Sequence, residues 1–239
     1  MKNKIIIVLL LAVFSTLLLQ FSLKDSDFIC YVVNPKKQKL TLYWKDEKQN
    51  NFGSLQNLKQ WLFKNNKDLL FATNGGMYKK DHSPQGLFIE NNKVKTAIDT
   101  SSGNGNFYMK PNGVFYITND NRAFVVKTAD FKNNPKIKFA TQSGPMLVIN
   151  GTIHPSFNKA SSNLNIRNGV GILPNNEVLF AMSKKGVSFY EFAEFFKNKG
   201  CLNALYLDGF VSRTYCPSEN SNQLDGDFGV IIGITNDKF

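Results

Sequence analysis

The 239-residue chain has few of the residues on which the commonest catalytic and scaffolding chemistries depend. Its three cysteines show no CxxC spacing, which excludes a disulfide-built scaffold and argues against a thiolate metal site. Cys201 and Cys216 bracket the Asp208 turn and either close it with one bridge or stand as two buried thiols; Cys30, in the apolar stretch 28–33, is a core residue. There are only two histidines, His82 and His154, and neither has nucleophile-elbow or His-x-x-x-His surroundings. A Ser-His triad and a histidine-held metal are therefore set aside, and no metal or cofactor is expected. Arginine is scarce as well, with Arg122, Arg167 and Arg213 standing against 29 basic residues in all. No linker or composition break interrupts residues 28–239, which excludes a second domain there.

The residues present describe an exported, well-packed domain. A hydrophobic content of 42% with 13% aromatics is ample for a core, which excludes disorder. The net charge of +11 comes from scattered lysines, a surface bias and not a polyanion stripe, so no nucleic-acid partner is expected. Residues 1–4 are basic and residues 5–19 are apolar, broken only by Ser15 and Thr16. That run matches a secretory signal at its long end, and it reaches the roughly 20 residues of a membrane span only if Gln20, Phe21, Ser22 and Leu23 are included. Residues 1–24 are thus either a cleaved signal peptide or an uncleaved membrane anchor, and the domain is expected in the periplasm or outside the cell.

Periodicity and turn chemistry predict an α+β domain: a mixed, largely antiparallel sheet core with two or more packed helices. Residues 28–33 and 39–44 read as a hairpin turning at Asn34-Pro35, and strands are expected at 86–90, 94–97, 107–109, 113–118 and 123–127 as a meander. Further strands are expected at 137–141, 146–149, 152–154, 170–173, 177–182, 204–207 and 228–234. Ser54 precedes a helix carrying Leu55, Leu58, Trp61 and Leu62, and Ser188 with Glu191 forms a capping box ahead of Phe192, Phe195 and Phe196.

Three polar turns follow short apolar runs: Asn74-Gly75-Gly76-Met77-Tyr78, Gln142-Ser143-Gly144-Pro145, and Asp208-Gly209-Phe210-Val211-Ser212-Arg213. Glycine lets a backbone approach a ligand closely, so such turns at strand ends suit a binding site. The unit capped helix, short strand, glycine turn occurs twice, ending at Asn74 and at Asp208; if the two strands are neighbours, both turns open on one sheet edge. A loop over 158–168 ends at Arg167-Asn168-Gly169. Two of the three arginines fall inside these motifs, and guanidinium suits a phosphate or carboxylate, so an anionic substrate group is expected.

The ordered series Asn74-Gly75-Gly76-Met77-Tyr78, GNGNFYMKP at 103–111, Gly113-Val114-Phe115, Gln142-Ser143-Gly144-Pro145-Met146, Arg167-Asn168-Gly169-Val170-Gly171, residues 189–196 and Leu207-Asp208-Gly209 resembles the phosphodiester glycosidase family, in its bacterial branch. The resemblance runs from about residue 71 to the C-terminus. It implies hydrolysis of a sugar-1-phosphodiester in an envelope or extracellular glycan, with a phosphorylated carbohydrate as partner. By matching motif it implies Asn74, Gly75, Gly76, Gln142, Ser143, Gly144, Asn168, Gly209, Ser212 and Arg213 as substrate-binding, with Asp208 and Arg167 catalytic. Many members carry glycines where Phe210 and Val211 stand, which also leaves open a non-catalytic module that binds phosphorylated glycan. Asp208 is the one obvious site carboxylate, a general base or a nucleophile at the anomeric carbon, with Arg167, and then Arg213, as phosphate clamp. A phosphomonoester is a good leaving group, so a second carboxylate acting as general acid is less needed.

Overall fold

The computed structural model describes residues 27–208 and 211–238. The expected signal or anchor over 1–24 and the expected site residue Gly209, with Phe210 beside it, lie outside them. No helix of the described residues is long and apolar enough to cross a membrane.

The strands form three sheets in which every pairing among the described strands is antiparallel. The six-stranded sheet runs, in spatial order, Phe28–Val33, Val178–Ser183, Asn168–Ile172, Asn203–Asp208, Met146–Ile149 and Thr152–Ile153. One five-stranded sheet runs Ser221–Asn222, Thr214–Cys216, Lys67–Asn74, Ile231–Asp237, Lys39–Tyr43. The other runs Lys93–Thr96, Phe88–Glu90, Ile137–Ser143, Gly113–Thr118, Ala123–Lys127. A single core joins them: Val33, Phe180 and Leu205 from the first sheet meet Leu42, Phe71 and Ile232 from the second and Phe88, Phe115 and Phe139 from the third.

Both helices form where capping and spacing predict them. Ser54 Oγ accepts from Asn57 N, and the helix Leu55–Lys64 buries Leu55, Leu58 and Leu62. Ser188 and Glu191 complete a reciprocal capping box, which accounts for Glu191, and the helix Phe189–Asn198 buries Phe192, Phe195 and Phe196 against Leu147, Leu179 and Ala181 of the six-stranded sheet. The result is a largely antiparallel α+β domain, as expected.

Three local expectations are corrected. Phe28–Val33 and Lys39–Tyr43 do not pair with each other: the first pairs with Val178–Ser183 and the second with Ile231–Asp237. The Asn34-Pro35 turn carries the chain between sheets, each strand bordering its own. Residues 107–109 are not a strand, since Gly105 at φ +89° turns the chain into the 3-10 turn Asn106–Tyr108 that buries Phe107. The strands ending at Asn74 and Asp208 lie in different sheets and do not share an edge.

Candidate active site

Two sheets meet at a polar corner, and one side chain spans it. Asn168 begins its strand opposite Asp208 in the six-stranded sheet, while Thr73 and Asn74 end the strand Lys67–Asn74 in the neighbouring sheet. The Asn168 Nδ2 amino group reaches Thr73 Oγ1 at 2.9 Å, the Asn74 carbonyl at 2.9 Å and Asn74 Oδ1 at 3.0 Å. Its Oδ1 accepts from the Asp208 backbone N–H at 2.9 Å and lies 3.4 Å from Ser212 Oγ, which donates to the Asp208 carbonyl at 2.5 Å. Asn74 Oδ1 also accepts from Arg213 N at 3.1 Å, and Thr73 Oγ1 donates to the Arg213 carbonyl at 3.0 Å. Asn74, Asn168 and Ser212 are at most 3% exposed, so these bonds have little competition from water and fix the backbone on both sides of Asp208. The Asn74 Nδ2 donor is buried with no hydrogen-bond partner among the described residues.

Asp208 itself, half-buried, opens on a cleft of roughly 370 Å³ that is also lined by Met77, Tyr78, Lys79, Lys80, Gln85 and Val211. Val211, at one of the positions that break the family's glycine run, is part of that wall. The rest of the lining belongs to a hairpin over residues 77–85. Tyr78 bridges Pro84, Lys79 N donates to the Ser83 carbonyl, and Gln85 N donates to the Met77 carbonyl. His82 stacks on Tyr78 at 5.4 Å, its Nε2 lies 2.6 Å from Asp227 Oδ1, and its carbonyl accepts from Trp44 Nε1. Gly229 permits this packing: a Cβ there would fall 2.7 Å from Tyr78 Cβ and 3.0 Å from the His82 carbonyl. Burial, then the negative charges of Asp208 and Asp227, hold the Tyr78 phenol above its ordinary pKa, so it stays a neutral donor beside Asp208.

The expected site residues thus fall into separate groups. Asn74, Asn168, Ser212 and Asp208 come together. Gly75 and Gly76 serve close packing beside them: a Cβ on Gly75 would lie 2.8 Å from Ile232 Cγ1, and one on Gly76 2.8 Å from Thr141 Oγ1. Gln142, Ser143 and Gly144 turn inward. Gln142 Oε1 accepts from Leu87 N and Asp99 N, its Nε2 donates to the Asp99 carbonyl, Ser143 Oγ donates to the Leu207 carbonyl at 2.7 Å, and a Cβ on Gly144 would strike Asn112 Cβ at 2.6 Å.

Neither arginine lines the cleft. Arg167 is 1% exposed; its Nε donates to the Val187 carbonyl, its Nη2 to the Asn163 carbonyl, and its guanidinium lies 3.7 Å from the Phe189 ring centroid. Desolvation lowers its pKa, partly offset by Tyr206. A sequence cannot distinguish such a cation–π plug from a phosphate clamp. Arg213 Nε is 2.8 Å from Asp225 Oδ2. Cys201 and Cys216 are free thiols in different core clusters, and burial raises the Cys201 thiol pKa to about 12. His154 is buried away from the cleft, donating from Nε2 to the Lys110 carbonyl and accepting from Ser156 N at Nδ1. No group of three or more metal-ligating side chains occurs among the described residues. Sequence reasoning missed Lys79, Lys80 and Gln85, whose signal was adjacency: they continue directly from the first glycine turn.

A largely antiparallel α+β domain with a carboxylate presented at a strand end, beside a cleft walled by a short hairpin, defines the class. The chain belongs to the phosphodiester glycosidase family, whose pattern it matches over residues 67–233. It is 39% identical over 188 residues to the protein YigE of Escherichia coli (strain K12), covering 77% of this chain and 72% of that protein. Its fold is similar to that of the zebrafish N-acetylglucosamine-1-phosphodiester alpha-N-acetylglucosaminidase catalytic domain auto-inhibited by its pro-peptide, with a TM-score of 0.60, 13% identity, and coverage of 87% of this chain and 83% of that one. A Synechocystis protein shares the fold with a TM-score of 0.56 at 12% identity, covering 87% of this chain and 59% of that one.

Proposed function

We propose that this protein is an exported hydrolase that cleaves the glycosyl–phosphate bond of a sugar-1-phosphodiester in an envelope or extracellular glycan. The observation that carries the reading is the placement of Asp208. Its backbone N–H is held by the buried Asn168 amide, and it lines the cleft together with Tyr78, whose phenol feels its charge, and with Lys79 and Lys80. Preorganised charge of this kind favours a transition state in which the anomeric carbon becomes positive. In the reaction the bond between C1 and the phosphate oxygen breaks and water supplies the new hydroxyl at C1. The phosphomonoester departs with the bonding electron pair, and the water proton passes to solvent, by way of Asp208 where Asp208 is the base. Asp208 acts either as the base on that water or as a nucleophile that water later displaces.

Incubating the purified protein with a sugar-1-phosphodiester should release free sugar and a phosphomonoester in equal amounts. Saturable binding without turnover would instead make the cleft a phosphoglycan-binding site, the alternative favoured by Val211 at a position where the family carries glycine. Neither turnover nor binding would overturn both readings.

A further inference from the structure

We infer that Lys79 and Lys80 form the anion subsite of the cleft, gripping the non-bridging phosphate oxygens while Asp208 faces the sugar. The inference rests on the reading of the cleft as a sugar-phosphodiester site, and it moves phosphate recognition away from both arginines.

Arg167 and Arg213 are engaged elsewhere, the first by backbone carbonyls and an aromatic face, the second by Asp225. Lys79 and Lys80 are exposed and share the cleft wall with Asp208. The ion pairs formed among the described residues include neither of them. Asp81 Oδ1 accepts from Ser83 N and Oγ, and Asp99 accepts from Ser101 and from the Tyr108 hydroxyl; these hydrogen bonds are what chiefly lowers both carboxyl pKa values, and the charge of Lys79 adds to them without forming an ion pair. The backbone that carries the lysines is held in place, because the hairpin is pinned at its base by its own hydrogen bonds and near its tip by Trp44 and Asp227. Cations on a pinned backbone lose less freedom on binding an anion than cations on a loose loop. The separation of signs also suits a glycosyl phosphate. The carboxylate stands where positive charge develops on the sugar, and the ammonium groups stand where the leaving phosphate gains negative charge.

The test compares full-length wild-type protein with the Lys79→Met/Lys80→Met double variant, measuring binding of glucose 1-phosphate and of glucose by calorimetry, with turnover in parallel. Both side chains are exposed, so the unfolding midpoint should be the same in the two proteins. Wild type should bind glucose 1-phosphate well above glucose, weakening as salt rises, and the double variant should bind it at least about tenfold more weakly with glucose binding unchanged. Equal binding of glucose 1-phosphate by both proteins, or none by wild type, overturns the subsite. If wild type binds through the lysines yet releases no sugar, the subsite stands and the hydrolase reading fails. If turnover persists in the double variant with unchanged KM, the hydrolase reading stands and the subsite fails.

Discussion

Two groups of residues beside Asp208 start from the same sequence signal, polar residues beside a glycine turn, and end in opposite physical states. One is the corner of Thr73, Asn74, Asn168 and Ser212, no more than 3% exposed and hydrogen-bonded across two sheets. The other is the hairpin over 77–85, whose Lys79 and Lys80 are in solvent. In the corner the Asn168 carboxamide and the Asn74 Oδ1 are committed to bonds that hold the chain, so their work is to position the Asp208 backbone. The hairpin presents side chains with charge to offer. Substitutions in the corner should therefore register as lost stability, and substitutions on the open side of the cleft as lost turnover.

The largest effect expected is on turnover. Asp208→Asn keeps the size of the side chain and removes its charge, so kcat should fall by about a thousandfold or more, with little change in the urea midpoint. A folded variant that turns over normally would place the chemistry elsewhere. Next is Asn168→Ala, which leaves the Asp208 amide without its carboxamide acceptor and strips Thr73 and Asn74 of a donor. A buried polar group left unpaired costs about 1–3 kcal/mol, and several are affected together, so urea unfolding should show a loss of about 3 kcal/mol at unchanged m-value. Gln142→Ala should cost somewhat less, about 2 kcal/mol, because two backbone donors lose one acceptor, and KM should stay near the wild-type value in the folded protein. A KM rise without a stability loss at Gln142 would break the comparison, making that turn part of the open wall.

Much of this arrangement is legible in the chain. The Ser188/Glu191 capping box and the Ser54 cap lie where their residues place them, and the Asn150-Gly151 hairpin turn takes positive φ at both residues. The convergence of Asn74, Asn168, Ser212 and Asp208 is legible too, through the order of the motifs. Which face each motif turns to solvent is not. Gln142 and Lys79 are both polar residues at a turn, and only the third dimension shows that Leu87 and Asp99 close over one of them while the other stays open. The false hairpin at Asn34-Pro35 has the same origin: turn chemistry reports that the chain bends, and long-range partners decide what the strands then meet. Arginine scarcity was informative about position but not about role, since Arg167 sits within the motif series yet is buried beneath Phe189.

The smallest expected effect concerns the other arginine. Arg213 and Asp225 pair with side chains 38% and 65% exposed, so the attraction is screened by water and salt. Arg213 Nη1 also donates to the Ser212 carbonyl at 2.9 Å, next to the buried corner. The two corner bonds made by Arg213, however, come from its backbone N–H and carbonyl, which any residue supplies. Arg213→Ala should accordingly cost less than about 1 kcal/mol in urea unfolding, and raising the salt concentration should shrink even that difference. In a turnover assay KM should barely move, because the guanidinium is turned toward Asp225 and not toward the cleft wall that Asp208 shares with the lysines. A KM rise of tenfold or more in Arg213→Ala, with stability intact, would mean that the ion pair opens to receive the phosphate, and it would move Arg213 from the scaffold side of the comparison to the substrate side.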